Sequence, residues 1–357
     1  MMIKKLQRKS EIILKKLIET PSLSTEEKET ADFLEVCFAL EKIPFERKAN
    51  NLWARNKYFD PKLPTILLNS HHDTVAPNNS YSRDPFKAYE EDGKIYGLGS
   101  NDAGASLVGL WASFVFFYRR KLPYNLIFSA TAEEEISGQN GIVSILEDLG
   151  KIDFALVGEP TQMQMAVAEK GLVVLDCVVK GTASHAAHAN ADNSIYKAIK
   201  EIQKVKKAQF EKSSALLGDV KSTVTMVFAG HQHNVVPDQT NFTIDVRTNE
   251  HYQNEEIEAY FASLLEAKVK ARSLRLNSSS INLDHPIVLA AKKNGHKLYG
   301  SPTISDQSLI PFDSVKMGIG DSTRSHTADE FIFKSELYRG IEQYIGLLTE
   351  LFQSKRN

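Results

Sequence analysis

Apolar runs of strand length alternate with longer stretches of helical period in the first part of the chain, and this alternation restricts the fold more than any other feature. The runs are Thr65–Asn69, Asn125–Ala130 and Phe154–Val157, and the helical patterns are Ala103–Arg119 and Asn140–Leu149. Short runs with no polar face suit strands covered on both sides, and the intervening helices supply that cover. The expected fold class is α/β, with a mixed central sheet flanked by helices. Ligands of such sheets gather at the carboxyl ends of the strands. The polar clusters of this chain fall there.

Two amphipathic segments, around Ile3–Glu19 and Glu26–Glu41, precede the first run. Between them, Thr20-Pro21-Ser22-Leu23-Ser24 ends one helix before proline and offers serines as caps for the next. After Glu169 the texture changes. Leu172–Lys180, Thr223–Phe228, Phe242–Arg247 and Lys268–Leu274 read as strands, with helices at Asn193–Phe210 and Asn254–Leu265. That β-α-β-β-α-β order is the order of a ferredoxin-like module. From about Asn282 the α/β texture resumes, ending in a helix over Lys334–Phe352. The sequence thus predicts a discontinuous domain, residues 1–168 and 281–357, with a second domain, 169–280, inserted into it. A length of 357 residues agrees with two domains.

Composition excludes several classes of partner. Lys and Arg number 43 against 45 Asp and Glu, a formal charge of −2, so no field favours nucleic acid or an anionic membrane. The basic stretch Lys197–Lys207 reads as a solvated helix face. The N-terminal segment is charged throughout, unlike a signal peptide, and the longest apolar run, Leu107–Tyr118, is too short to cross a bilayer. Cys37 and Cys177, each flanked by apolar residues, read as buried free thiols. A cytoplasmic setting is expected.

Five short segments hold the candidate chemistry: SHHDTV with His71 and Asp73, GLGSNDAG with Asp102, TAEEEISG with Glu133–Glu135, LVGEPT with Glu159, and STRSHTADE with His326. Two histidines and several carboxylates suit zinc or a similar divalent ion. A hydrolytic two-metal site needs ions about 3.5–4 Å apart, a shared carboxylate, an open position for water and a base in reach of it. Taken singly, each segment has a plainer use. HxD makes strand-end turns, a Glu run starts a helix, and Gly97-x-Gly99 begins a dinucleotide loop that Asp102 interrupts. Their order along one chain ties them together.

In that order the chain resembles the family of two-zinc metallopeptidases and deacylases that includes acetylornithine deacetylase, succinyl-diaminopimelate desuccinylase, the aminoacylases and carboxypeptidase G. The resemblance covers nearly the whole chain. It implies that His71 is a metal ligand oriented by Asp73, that Asp102 bridges the two ions, and that Glu159 completes the first position. Glu135 and His326 would hold the second ion, and Glu134 would be the general base. VKGTASHAAHANADNS and NVVPDQTNFTIDVRT resemble the family's segments in the inserted module. They imply that His185 supports the oxyanion from a neighbouring subunit, with Asn234 and Arg247 as substrate contacts. The implied cofactor is two divalent ions, zinc first, with cobalt or manganese as alternatives. The implied assembly is a homodimer through the inserted domain.

The branch most resembled is acetylornithine deacetylase, which makes an N-acyl amino acid of arginine biosynthesis the expected substrate. A desuccinylase, a dipeptidase or a carboxypeptidase would use the same ligands. Departures from the pattern are Leu98 where arginine is common, Ala103-Gly104-Ala105-Ser106 after Asp102, and Ser137 where glycine is common. A scaffold that had lost catalysis would lack a ligand or the base, and none is missing. His72, His188, His231 and His233 match no role and read as structural or surface residues.

Overall fold

The computed structural model describes residues 2–188 and 192–355 and divides the chain into two compact units. One comprises Met1–Val167, Ile281–Tyr299 and Ser305–Asn357, and the other Ala168–Ser280 and Gly300–Ile304. The brief return of 300–304 to the second unit has no counterpart in the sequence reading.

The first unit is built on β1 (Glu46–Lys48), β2 (Asn51–Arg55), β3 (Thr65–His71), β4 (Asn125–Thr131), β5 (Phe154–Val157), β6 (Met165–Glu169) and a late strand, Ser314–Lys316, all in one mixed sheet. In spatial order they run β1-β2-β4-β3-β5, then Ser314–Lys316, then β6. The strand β3 lies parallel to both β4 and β5, and Ser314–Lys316 is parallel to β5. Every residue of β3 is buried. Burying Ile66, Leu67 and Leu68 contributes roughly 1.5–3 kcal/mol each. That offsets ordering Asn69, Ser70 and His71 in the same strand.

Alternation assigns the two sheet faces. Ile66, Leu68, Leu126 and Phe128 join a core with α1 (Met2–Ile18), α2 (Lys28–Glu41) and α3 (Ala105–Phe117), and with two late helices, Pro286–Lys293 and Lys334–Ser354. Leu67, Ile127 and Ala155 face the other way, onto α4 (Ile142–Leu149). A small antiparallel sheet of Tyr89–Glu91, Lys94–Tyr96 and Phe331–Phe333 places the segment after His326 beside the start of the Gly97–Gly99 loop.

The second unit contains β7 (Gly171–Lys180), α5 (Ser194–Lys206), β8 (Lys221–Ala229), β9 (Gln239–Thr248), α6 (Asn254–Leu264) and β10 (Lys268–Ala271). Its four strands pair antiparallel in the order β8-β9-β7-β10, the interleaved order of a ferredoxin-like module. Both helices pack on one face, where Ala198, Val205, Ile257 and Phe261 meet Val173, Leu175, Ile244 and Val246. The lysines of α5 lie outside its buried stripe of Ala198, Glu201 and Val205, and Lys204 pairs with Glu201 at 2.9 Å. That helix ends at Lys206, short of the expected Phe210, which instead packs among Tyr252, Tyr260 and Phe261. Cys37 and Cys177 are buried and unpaired.

One local expectation was wrong. No serine caps α2: its N-cap is Glu27, and the Ser24 hydroxyl donates to Asp73 at 2.7 Å. A buried carboxylate attracts the hydroxyl more strongly than a helix end that begins four residues later.

Candidate metal centre

His71 ends β3, Glu133–Glu135 follow the end of β4, and Glu159 follows β5, so three adjacent parallel strands deliver ligands at their carboxyl ends. Asp102 arrives from a wide turn, Ser100–Gly104, where its own backbone leaves helical geometry (φ −118°, ψ 104°). Gly99 enters that turn at φ 76°, a conformation that suits glycine. Gly318 lets the Glu159 turn approach closely, since a Cβ there would lie 2.2 Å from the Glu159 carbonyl oxygen. Ser137, where the resembled family commonly has glycine, indeed takes a left-handed φ of 48°.

The side chains converge. His71 Nε2 lies 3.4 Å from Asp102, 3.7 Å from Glu159 and 3.8 Å from Glu134. His326 Nε2 lies 3.0 Å from Glu135 and 3.7 Å from the other oxygen of Asp102. On its far side, His71 Nδ1 is 3.0 Å from the Asp73 carbonyl and 3.3 Å from its carboxylate. Those acceptors favour a ring proton on Nδ1, the tautomer in which Nε2 could serve a metal ion. The Asp73 carboxylate also accepts from Ser24 and from the backbone N–H groups of Glu134 and Glu135 at 3.1 Å each. It therefore orients the histidine and the glutamate turn together.

Charge in this cluster is out of balance. Burial works against a charged His71, but Glu134, Asp102, Asp73 and Glu159 outweigh it and raise its pKa well above the usual value. Burial raises Glu134 and Glu159 well above the carboxylate range, with Glu159 adding to the first and Asp102 to the second. Asp73 and Asp102 are held low, against burial, chiefly by His71. The hydrogen bond to Glu135 lifts His326 to about 9. Five carboxylates thus crowd two imidazoles. Two buried atoms in the crowd, His71 Nε2 and Glu159 Oε1, have no hydrogen-bond partner. Buried polar atoms are seldom left so, and a cation between them would satisfy both.

Two sets of ligand atoms lie within 4.8 Å of one another: His71 with Glu134 and Glu159, and His71 with Asp102 and Glu135. The residues fit divalent ions, although the close sets share His71 and include Glu134, where the sequence reading shared Asp102 and made Glu134 the base.

Sequence reasoning gave no role to three buried carboxylates that support the cluster. Glu330 accepts from the backbone N–H groups of Gly99, Asn101 and Asp102 at 3.2, 2.7 and 2.9 Å. Glu27 accepts from the Glu133 and Thr25 N–H groups. Asp306 accepts from Asn69 and Thr131 at 2.8 and 2.9 Å, and burial lifts it to about 6. Glu330 closes the STRSHTADE segment and was within view, whereas Asp306 sits in an unremarkable polar run. His72 is structural: its ring nitrogens contact Thr30 Oγ1 and the Asn50 carbonyl.

His185, Asn234 and Arg247 belong to the second unit. Ser184–His185 pairs with Val235–Val236, and the Ala186 N–H donates to the Asn234 carbonyl at 2.9 Å, so two candidates distant in sequence adjoin. His185 is exposed, and its Nδ1 accepts from the Ala187 N–H. Ala189, Asn190 and Ala191 of the same segment lie outside the described residues. Arg247 donates through Nε and Nη2 to Asp245, two residues earlier on β9. His188, His231 and His233 are exposed.

Known proteins resemble this chain in sequence and in fold. Succinyl-diaminopimelate desuccinylase of Wolbachia pipientis is 28% identical over 257 residues, 66% of this chain and 64% of that protein. The enzyme of the same name from Rickettsia felis is 28% identical over 218 residues, 57% and 56% of the two chains. The chain therefore spans less than two-thirds of the length of these curated relatives. Among solved structures, the aminopeptidase PepT of Bacillus cereus superposes with a TM-score of 0.77 at 20% identity, covering 97% of this chain and 98% of that one. The M20 family metallo-carboxypeptidase of Sulfolobus solfataricus gives 0.74 at 18% identity, covering 96% and 99%. The pattern of peptidase family M20/M25/M40 runs from residue 67 in the first ligand-bearing strand to residue 350 in the last helix, and the chain belongs to that family.

Proposed function

We propose that the protein is a metal-dependent amidohydrolase that cleaves the amide bond of a small N-acyl amino acid. The observation that carries this reading is the pair of unpartnered buried atoms, His71 Nε2 and Glu159 Oε1, set among five carboxylates at the strand ends. In this reading His71, Asp102 and Glu159 hold one divalent ion and Asp102, Glu135 and His326 a second, zinc before cobalt or manganese. Bound ions would acidify water near neutral pH and polarise the amide carbonyl. Glu134 takes the proton as water attacks the carbonyl carbon, then returns it to the amine nitrogen as the C–N bond breaks. Asp73 holds His71 and the Glu134 turn in register. His185 donates to the oxyanion, and Asn234 and Arg247 contact the substrate. Asp245 would fix the orientation of Arg247 for a substrate carboxylate.

The acyl group divides two readings. Resemblance to the acetylornithine branch favours an acetylated substrate of arginine biosynthesis. The names of the relatives favour a succinylated diamino acid instead. A panel of N-acetyl and N-succinyl amino acids with dipeptides, assayed with added zinc, tests the proposal. Release of free amine from an acyl amino acid is expected. Turnover of dipeptides alone would overturn the deacylase reading.

The reading includes a homodimer through the inserted unit. Its support is β8, an edge strand whose Met226, Val227 and Phe228 are exposed. Edge strands with apolar, unprotected faces are templates for pairing.

A further inference from the structure

We propose that Glu330 is a positioning residue that sets the distance between Asp102 and His326, and so tunes the second metal position more than the first. The inference rests on the two-ion reading of the site.

Its first ground is the grip on the Asp102 loop. Glu330 is 1% exposed, and its carboxylate accepts from three N–H groups of that loop, at Gly99, Asn101 and Asp102. Its own carbonyl accepts from the Gly97 N–H at 2.9 Å. One residue thus holds the entry to the turn and Asp102 itself. A carboxyl group brings two oxygens with several lone pairs, which suits it to several converging amides.

The second ground is where Glu330 sits. It lies four residues after His326, in a segment fastened on both sides. Ahead of His326, Asn101 exchanges hydrogen bonds with the Asp321 backbone at 2.9 and 3.1 Å, and Arg324 makes a two-pronged contact with Glu336 of the last helix. Behind it, Asp329 accepts from Ser82 and Arg83, and Phe331–Phe333 pairs with Lys94–Tyr96. His326 itself takes a left-handed φ of 60°, so its ring direction depends on the backbone around it. Asp102 and His326 belong to loops far apart in sequence, and Glu330 is the buried carboxyl group that joins them. No comparable contact runs from Glu330 to His71 or Glu159 among the described residues, so the first position depends on Glu330 through Asp102 alone and the second through both Asp102 and His326.

Glu330→Gln keeps the volume but replaces one acceptor oxygen with an amide donor. Glu330→Asp keeps the carboxyl group but withdraws it by one methylene, and it carries the test if the glutamine variant fails to fold. Asp329→Asn, on the same segment, is the control for general loosening. Metal-free protein is titrated with cobalt, read by visible absorption and calorimetry, with the melting temperature measured alongside. Supporting partners of metal ligands typically contribute about 10–100-fold in affinity. A loss of that order is expected in one cobalt step of Glu330→Gln, with a smaller loss in the other. Glu330→Asp should fall between, and Asp329→Asn should match the parent. With saturating cobalt, kcat should fall while KM stays near the parent value. Equal loss in both steps, or no loss in either, overturns the assignment of Glu330. A parent protein that takes up fewer than two cobalt ions overturns the two-ion reading instead.

Discussion

Glu134 and Glu135 are neighbours in sequence with different expected duties, and isosteric substitution separates them. Glu134→Gln keeps the shape but cannot accept a proton, so turnover should fall about 10²–10⁴-fold with metal content unchanged. Glu135→Gln removes a ligand that touches His326 and should cost one ion per chain, read by elemental analysis. Loss of an ion from the Glu134 variant would instead favour the geometric set that joins Glu134 to His71 and Glu159. At this scale the sequence revealed residues that stand in short motifs with a chemical grammar, such as His71-x-Asp73 and the Glu133–Glu135 run. It did not reveal the duties of Glu330, Glu27 or Asp306. Each of these binds loop amides or side chains from distant parts of the chain, and a lone buried acid has no local pattern. Ser24 was read as a cap because its fragment shows only a helix start, and the carboxylate that claims its hydroxyl comes 49 residues later.

Among elements, the legible ones were those that bury a continuous apolar run: β3, β4 and β5 lie within two residues of their expected ends. Asn51–Arg55 and Met165–Glu169 are buried runs that the sequence reading passed over, and other missed strands are short or polar. Glu46–Lys48 has no apolar residue, and Ser314–Lys316 contributes three residues whose place depends on β5 beside them. The exposed strand β8 leads to a direct test. Val227→Lys puts a charge on the free edge of the ferredoxin-like sheet, where edge lysines discourage pairing. Sedimentation should show a monomer in place of a dimer. Because the proposed His185 serves the neighbouring copy's site, activity should fall with the dimer while cobalt uptake persists. A fully active monomer would place His185 in service of its own chain.

For the whole molecule, the crowded carboxylates couple stability to pH. Glu134 and Glu159 are raised, Asp306 lies near 6 and Glu330 is pushed by burial to about 8. A raised carboxyl pKa means that the unfolded chain loses its proton first. The contribution of these groups is present below the unfolded value and is lost as pH rises through the folded value. Asp73 and Asp102, held low, act oppositely, but only in more acidic solution. The metal-free melting temperature should therefore fall between about pH 5 and about pH 8, and the gain from added zinc should grow over the same interval. A gain from zinc that is flat with pH would show that the cluster does not release protons to the ion.

The division of the chain also sets an order of birth. Residues 168–280 are one continuous stretch, whereas the unit around them needs segments on both sides. Chains emerge at about 5–20 residues per second, so the inserted module has all its strands on hand on the order of ten seconds before its host does. Until the end of that interval the host lacks its last helix, and the apolar surface which that helix covers, with Phe117 and Tyr124, is left open. The nascent protein is most vulnerable to clumping and to proteases just before its last helix arrives, and the cell's helpers of folding would find their client there.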